Sequence, residues 1–392
     1  MSAGPVAADA TYVADPTPEE EERKTSFLEL FFDLVFVFAF TQVTALLLED
    51  SSAAGFARAA LVLGLVWWAW SAYAWMTNAI DVESLVTKLI VFAAMGGAFF
   101  MALAVPDAYR DEGSWFAVAY FAVRILNSAL YVWGVRRDPV QLRATLRLAP
   151  WFVTAAIVAL AGGLVSSDVR PYVWLASLAI DVVGTLTVAR AGFRVSPAHF
   201  AERYSLIVII ALGESVVAVG LGASELERGT VFAVSVGVAL VGVIALWWAY
   251  FDFTATAAQR SLTRTSPDRR GPLARDVFTL FHFPIVLGII LYAVAAEKTL
   301  AHPKDPLSDA GRWALGLGLA LFLSGFVLAR LRVVRRIAWE RLAGGVAVLL
   351  AAVVLDSVDA VVTLAVAVGV VLAAVALEGI RLREIRASLR TG

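Results

Sequence analysis

Apolar residues in this chain come in runs of about twenty, separated by short charged stretches, and that spacing decides what it can fold into. A helix rises 1.5 Å per residue, so about 20 apolar residues cross the roughly 30 Å hydrocarbon core of a bilayer. Runs such as Val231 to Trp248 show no period of two, which sets aside a transmembrane barrel, whose short strands alternate lipid-facing and lumen-facing residues. Hydrophobic residues are 60% of the 392 and charged residues 17%, against roughly 45–50% and about 25% in soluble domains. The chain therefore reads as all-α, a polytopic transmembrane helical bundle of about 12 spans.

Six spans are expected near 27–48, 56–79, 85–105, 114–134, 147–165 and 171–190. Six more follow near 203–223, 230–253, 277–297, 311–330, 337–356 and 359–379. The eleventh is the weakest, because its apolar part from Leu342 to Leu355 is short. Residues 1–24 carry Pro5, Pro16, Pro18 and the acidic run Glu19 to Glu22. Such a stretch cannot bury a core and reads as a disordered acidic tail, and it lacks the basic start and short apolar segment of a signal peptide.

Loop charge orients this layout. Of the 32 basic residues, 24 fall at the ends of the spans on the side of the amino terminus, seven on the other side, and Arg124 lies within a span. That asymmetry predicts both termini in the cytoplasm, by the rule that arginine and lysine stay inside. An odd miscount of spans would have scrambled it.

The two halves also echo one another. Phe27-Leu-Glu29 opens the first span and Phe200-Ala-Glu202 the seventh, 173 residues apart. Trp67-Trp68-Ala69-Trp70 in the second span is matched by Trp247-Trp248-Ala249-Tyr250 in the eighth, 180 apart. Six spans per half is an even number, so the halves enter the membrane the same way round. The sequence thus predicts two parallel six-helix repeats, residues 25–190 and 191–392, the second ending in a short basic tail and the two related by an axis along the membrane normal.

Charges within spans are expensive, at least about 2.5–3.5 kcal/mol each, so they are the candidates for function. Glu29 and Asp33 lie four apart on one face of the first span, where two ionised carboxylates repel unless a cation intervenes. Farther along stand Thr41 and Gln42, which in the 173-residue register face Glu214 and Ser215 of the seventh span. Glu214 follows Gly213 and sits about 18 Å deeper than Glu202 at 1.5 Å per residue. Neither Asp33 nor Glu214 has an arginine near it in sequence at its depth. Arg124 demands a carboxylate, with Asp181 and Asp33 as options, and such a pair can be purely structural. Glu29 and Glu202 stand near the interface, where pairing with Arg203 or Lys24, or capping a helix start, would explain them. His282 stands two residues before the helix-breaking Pro284, either as a satisfied core histidine or as a group able to carry a proton near neutral pH. The Trp-Trp-Ala-aromatic blocks read as packing or interface anchors.

Other chemistries find little support. There is no cysteine, which excludes disulfides, thiol catalysis and thiolate metal sites. His199, His282 and His302 are widely separated and form no metal-binding motif. No metal, cofactor, catalytic motif or nucleic acid is expected. The expected partners are the lipid bilayer and a small molecule or ion, and the sequence leaves the oligomeric state open.

The strings Glu29-Leu-Phe-Phe-Asp33-Leu-Val-Phe-Val-Phe and His199-Phe-Ala-Glu202-Arg203-Tyr-Ser, continuing to Gly213-Glu214-Ser215, resemble those of the bacterial low temperature requirement A family. Ala104-Val-Pro106-Asp107-Ala108, Arg124, the stretch from Trp174 to Asp181, and His282-x-Pro284 agree with it too. One departure is Ser205, which stands where glycine is usual. The resemblance covers the chain beyond its amino-terminal tail. It implies a multi-pass bacterial membrane protein of a family named for a cold-growth phenotype, and it carries over no substrate, reaction or site residues.

Three functions compete at this level. A secondary transporter would enclose a midplane cavity lined by Asp33, Gln42, Glu214 and His282 between two rocking halves. The loop Asp81 to Lys88 lacks the Gly-x-x-x-Asp-Arg signature of the major facilitator class, and the link between the halves, Arg190 to Glu202, is short. An intramembrane lipid-handling enzyme would use Asp33, Glu214 and His282 as acid and base. A non-catalytic sensor or structural protein would use the same groups to hold its bundle together.

Overall fold

The computed structural model describes residues 24–188, 192–224 and 226–383. The amino-terminal tail up to residue 23, the link at 189–191 and the basic tail from 384 lie outside the described residues. The long helices of the first half are α1 (Phe27–Glu49), α2 (Ala53–Ala79), α3 (Leu85–Leu103), α4 (Gly113–Gly134), α5 (Pro139–Leu164) and α6 (Arg170–Val188). Then come α7 (Pro197–Ser224) and α8 (Thr230–Phe251), the short α9 (Thr254–Thr263) and α10 (Pro267–Ala274), and a π-helical turn at Arg275–Leu280. The chain ends with α11 (Phe281–Ala301), α12 (Asp309–Val334), α13 (Trp339–Val354) and α14 (Ala360–Arg381). Among the described residues there is no strand, only one bridge between Pro306 and Asp359.

Local chemistry sets the helix starts. Ser26, Ser52, Ser84 and Ser308 accept from the backbone N–H three residues on, and Asp138 does so ahead of Pro139. Each satisfies an amide that the first turn leaves unpaired. Ser26 and Glu29 form a reciprocal capping box. Among the described residues, eleven helical segments are long and apolar enough to cross a membrane. The twelfth expected span, α13, has only 16 residues, in keeping with its weak apolar run. Two starts move relative to expectation. α5 begins at Pro139 and α7 at Pro197, because arginines and a histidine near a bilayer surface ride within helices rather than ending them. The stretch before the ninth span folds as α9, α10 and the π turn.

In the first half α1 packs on α2 and α3, then α3 on α4, α4 on α5, α5 on α6, and α6 returns to α2. In the second half α7 packs on α8 and α11, then α11 on α12, α12 on α13, α13 on α14, and α14 returns to α8. The halves meet where α1 and α2 face α7 and α11. α11 is enclosed on every side, with Ile285 through Ala296 all buried, as befits a helix apolar all round. It crosses α12 where a side chain on Gly288 would strike the backbone of Gly318 and Phe322. In lipid, such close backbone approach replaces the hydrophobic drive as the source of packing energy.

α1 and α7 run parallel. Thr25 meets Glu202, Glu29 meets His199 and Arg203, Asp33 meets Arg203, and Thr41 meets Glu214. Partners advance together along both helices, so an even number of crossings separates the two starts.

Candidate functional site

The densest buried polar cluster lies in the outer third of the α1–α7 joint. Glu29, at the first turn of α1, holds the capping amide of Ser26 at 2.9 Å and also faces His199 Nε2 at 3.0 Å and Arg203 Nη1 at 3.0 Å. One turn deeper, Asp33 Oδ1 takes Arg203 Nη2 at 2.8 Å and the indole N–H of Trp70 at 2.8 Å. All four ionisable groups are at most 2% exposed. The spacing explains the geometry. Glu29 and Asp33 are four apart on α1, His199 and Arg203 four apart on α7, so both pairs stack on one face of their helix. Two carboxylates near one another need a cation, and Arg203 supplies it to both. Asn78 from α2 completes the row by meeting His199 Nδ1 at 3.1 Å. The network is not fully satisfied, since Asp33 Oδ2 and Arg203 Nε are buried without a hydrogen-bond partner among the described residues.

Asp33 has no arginine near it in sequence, yet it has one in space. The arginine comes from a helix 170 residues away, and only the parallel pairing of α1 with α7 brings it there. Glu202 and Glu29, the two acids expected near the interface, divide. Glu202 is exposed and accepts from the backbone N–H of Thr25 at 2.8 Å, holding the start of α1, whereas Glu29 both caps and pairs.

Glu214 lies deeper on the same joint. Thr41, eight residues past Asp33, stands about 12 Å farther along the helix at 1.5 Å per residue. Its hydroxyl donates to Glu214 Oε2 at 2.5 Å, the pair that the 173-residue register set face to face. Glu214 is 2% exposed, and among the described residues no cation pairs with it. Ser215 turns to the carbonyl of Ile289 on α11 at 3.3 Å, and Gln42 is half-buried beside the pair.

Arg124 and Asp181 form a separate unit between α4 and α6. The guanidinium grips both carboxylate oxygens at 2.6 and 2.8 Å, also donates to Tyr120 at 2.9 Å, and lies 4.7 Å from the centre of the Phe152 ring. Of the two carboxylates the sequence offered, Asp181 is the partner, and the pair sits wholly within the first half. A second buried pair, in the second half, escaped the sequence reading. Arg341 on α13 meets Glu378 on α14 at 2.7 Å and lies 4.1 Å from the centre of the Phe326 ring. Both residues stand near predicted span ends, where a charge ordinarily means solvent.

His282 joins neither group of acids. Its Nε2 meets Tyr250 at 2.8 Å, its Nδ1 the carbonyl of Val277 at 2.9 Å, and its ring stacks on Phe278. It reaches the joint only through aromatic contacts, its ring 5.4 Å from Tyr204, which in turn is 4.9 Å from Trp70. The π turn gathers the hydroxyls. Thr279 meets the Trp75 indole at 2.9 Å and the Tyr204 hydroxyl at 2.8 Å, and its carbonyl takes the Trp67 indole at 2.9 Å. Pro284 lacks an N–H and would collide with the carbonyl of Leu280 in a regular helix; the wider π turn ends at that residue. Trp67 and Trp70 are therefore hydrogen-bonded anchors, while Trp247 and Trp248 lie half-exposed on the outer face of α8.

The sequence reading missed His199. Its signal was present, since it lies four residues before Arg203 as Glu29 lies four before Asp33. A cleft of about 50 Å³ opens between α2, α5, α6 and the π turn, and none of Asp33, Gln42, Glu214 or His282 is on its lining.

A family model described as bacterial low temperature requirement A protein (LtrA) matches residues 24–377. An uncharacterized protein of Rhizobium meliloti (strain 1021) is 33% identical over 322 residues, covering 78% of this chain and 76% of that protein. No solved structure matches the chain.

Proposed function

The chain belongs to the bacterial low temperature requirement A family, and from that premise and the α1–α7 joint we propose that it is a proton-coupled secondary transporter of the bacterial cytoplasmic membrane. The observation that carries this reading is Glu214, a buried carboxyl at bilayer depth held by a threonine hydroxyl and by no cation among the described residues. A carboxylate left alone in hydrocarbon is costly, so such a group is a place to hold a proton or a small cation. Its position, on a joint between two bundles, lets occupancy of the carboxyl bear on how the bundles sit against each other. A small molecule or ion is the proposed cargo, and the unpaired Asp33 Oδ2 and Arg203 Nε offer it polar contacts.

The architecture in this reading is a parallel duplication of residues 25–190 and 191–392. Each half runs through the same sequence of neighbours, its first helix against its second and third and its sixth returning to its second. Both termini face the cytoplasm, supported by the 24-to-7 division of basic residues. Buried ion pairs at Arg124–Asp181 and Arg341–Glu378 hold each half together internally.

The test is flux. Purified protein in liposomes loaded with a pH-sensitive dye is challenged with panels of amino acids, organic cations and sugars, guided by metabolite comparison of cells with and without the gene. The wild type is expected to move protons with one of these classes, and Glu214→Gln to abolish that movement while retaining its fold. Undiminished proton-coupled flux in Glu214→Gln would overturn the reading.

A further inference from the structure

The cleft beside the π turn has a floor and a corner of different character. Its walls are largely apolar, with Trp68, Ala72, Phe152 and Val188 drawn from three helices of the first half. One corner is polar and carries Arg275 and Thr185. Arg275 is 12% exposed at its side chain and donates to Asp276 Oδ1 at 2.7 Å, with a weaker contact to the carbonyl of Thr185 at 3.4 Å. Asp276 is not its partner alone. The other carboxylate oxygen takes Arg332 of α12 at 2.6 Å. Two guanidiniums thus share one carboxylate, and among the described residues one positive charge is left over at the corner of an apolar cleft. Beside it, the Thr185 hydroxyl is buried and has no hydrogen-bond partner among the described residues. An uncompensated charge at the edge of so small a space asks for an anionic, hydrogen-bonding group.

Position narrows the occupant. The lining residues Trp75, Tyr131 and Val188 lie at or near the ends of α2, α4 and α6 on the arginine-rich side of the molecule. That is the depth at which a lipid phosphate meets its acyl chains. The same side of the molecule carries the exposed Arg147, Arg264 and Arg269, which suits it to an acidic leaflet as a whole. A free anion would satisfy the corner and leave the apolar walls unused, and a neutral lipid would fill the walls and leave the charge unmet. We propose that this cleft is a binding site for an anionic phospholipid of that leaflet, its phosphate on Arg275 and an acyl chain against Trp68, Ala72 and Phe152. The site is separate from the Glu214 joint and stands or falls independently of transport.

The experiment is native mass spectrometry of the full-length protein in mild detergent, titrated with dioleoyl phosphatidylglycerol or dioleoyl phosphatidylcholine. Three variants change the corner by one charge or leave it alone. Asp276→Asn raises the surplus charge, Arg332→Gln removes it while leaving Arg275 paired, and Arg264→Gln removes an exposed arginine of the same face that does not line the cleft. We expect phosphatidylglycerol to bind in preference to phosphatidylcholine, tighter by about fivefold in Asp276→Asn and weaker by about fivefold in Arg332→Gln, with Arg264→Gln like wild type. Damage to the fold cannot give opposite shifts in the first two variants. Equal retention of both lipids, equal weakening in Arg332→Gln and Arg264→Gln, or weakening in both corner variants would each overturn the proposal. If Asp276→Asn does not fold, the contrast between Arg332→Gln and Arg264→Gln decides alone.

Discussion

Two stretches of one helix joint treat buried acid in opposite ways. At the outer end of α1 and α7, two carboxylates face a histidine and an arginine, with a tryptophan and an asparagine filling in. Two helical turns or so deeper, a single carboxyl faces one threonine hydroxyl. The helices, their direction and their spacing are shared, so the difference lies in side chains alone. The outer stretch looks like a fastening, in which removing any charge strands another. The inner one has nothing to strand, which leaves its carboxyl at liberty to change state. Arg124–Asp181 resembles the outer stretch, and it joins two helices of the same half.

Arg203→Gln should break the comparison most severely. It strands Glu29 and Asp33 together, and losing one member of a buried pair costs about 3–5 kcal/mol. A large fall in thermal stability in detergent, followed by fluorescence-detected size exclusion, is expected, and a fall no greater than that of a surface arginine variant would refute the fastening. Next comes Arg124→Gln, expected to cost a similar few kcal/mol alone, while the double replacement Arg124→Met with Asp181→Leu recovers much of it, because an apolar pair of similar volume often matches a buried ion pair. Such recovery, together with unchanged transport, would mark that unit as structural.

Smaller effects test the inner stretch. Thr41→Val removes the hydroxyl that Glu214 holds and should cost about 1–3 kcal/mol, the range for leaving a buried polar group unmet. In the same assay Glu214→Gln should lie within about 1 kcal/mol of wild type, since no charge partner is stranded. A collapse of Glu214→Gln comparable to that of Arg203→Gln would erase the distinction between the two stretches. The smallest effect calibrates the scale. Asp138→Ala removes a half-buried helix cap and should cost about 1 kcal/mol. Partial burial works against the Asp138 charge, but the amides of Gln141 and Val140 outweigh it and hold its carboxyl below the usual range. A lowered carboxylate stabilises the fold above its unfolded range and loses that contribution as pH falls through its folded value. The gap between Asp138→Ala and wild type should therefore close in acid.

Much of the architecture could be read from residue order. The spans and the weakness of α13 both follow from apolar run length, a property each segment carries alone. The Thr41–Glu214 contact was legible too, because the register set by Phe27-Leu-Glu29 and Phe200-Ala-Glu202 happens to be the register of packing. What sequence could not supply was partnership across distance. Asp33 looked bare because its arginine sits on another helix, and Arg341 with Glu378 looked solvated because both lie near span ends. The π turn was hidden for a further reason. It follows from a clash between Pro284 and the turn before it, and a hydropathy pattern does not register how tightly a turn is wound. The two Trp-Trp-Ala-aromatic blocks look alike on paper, yet one is locked among hydroxyls and the other faces outward, since burial is decided by which half contributes the central α11.

The polar rows of α1 and α7 have teeth of equal pitch. Glu29 and Asp33 are one helical turn apart, and so are His199 and Arg203. If one helix slides along the other by part of a turn, both carboxylates come to face aliphatic side chains and the joint is at its worst. A slide of a whole turn, about 5.4 Å, brings a carboxylate and a cation opposite each other again. The two rods are thus geared like a rack, and travel along that seam comes in whole clicks or not at all.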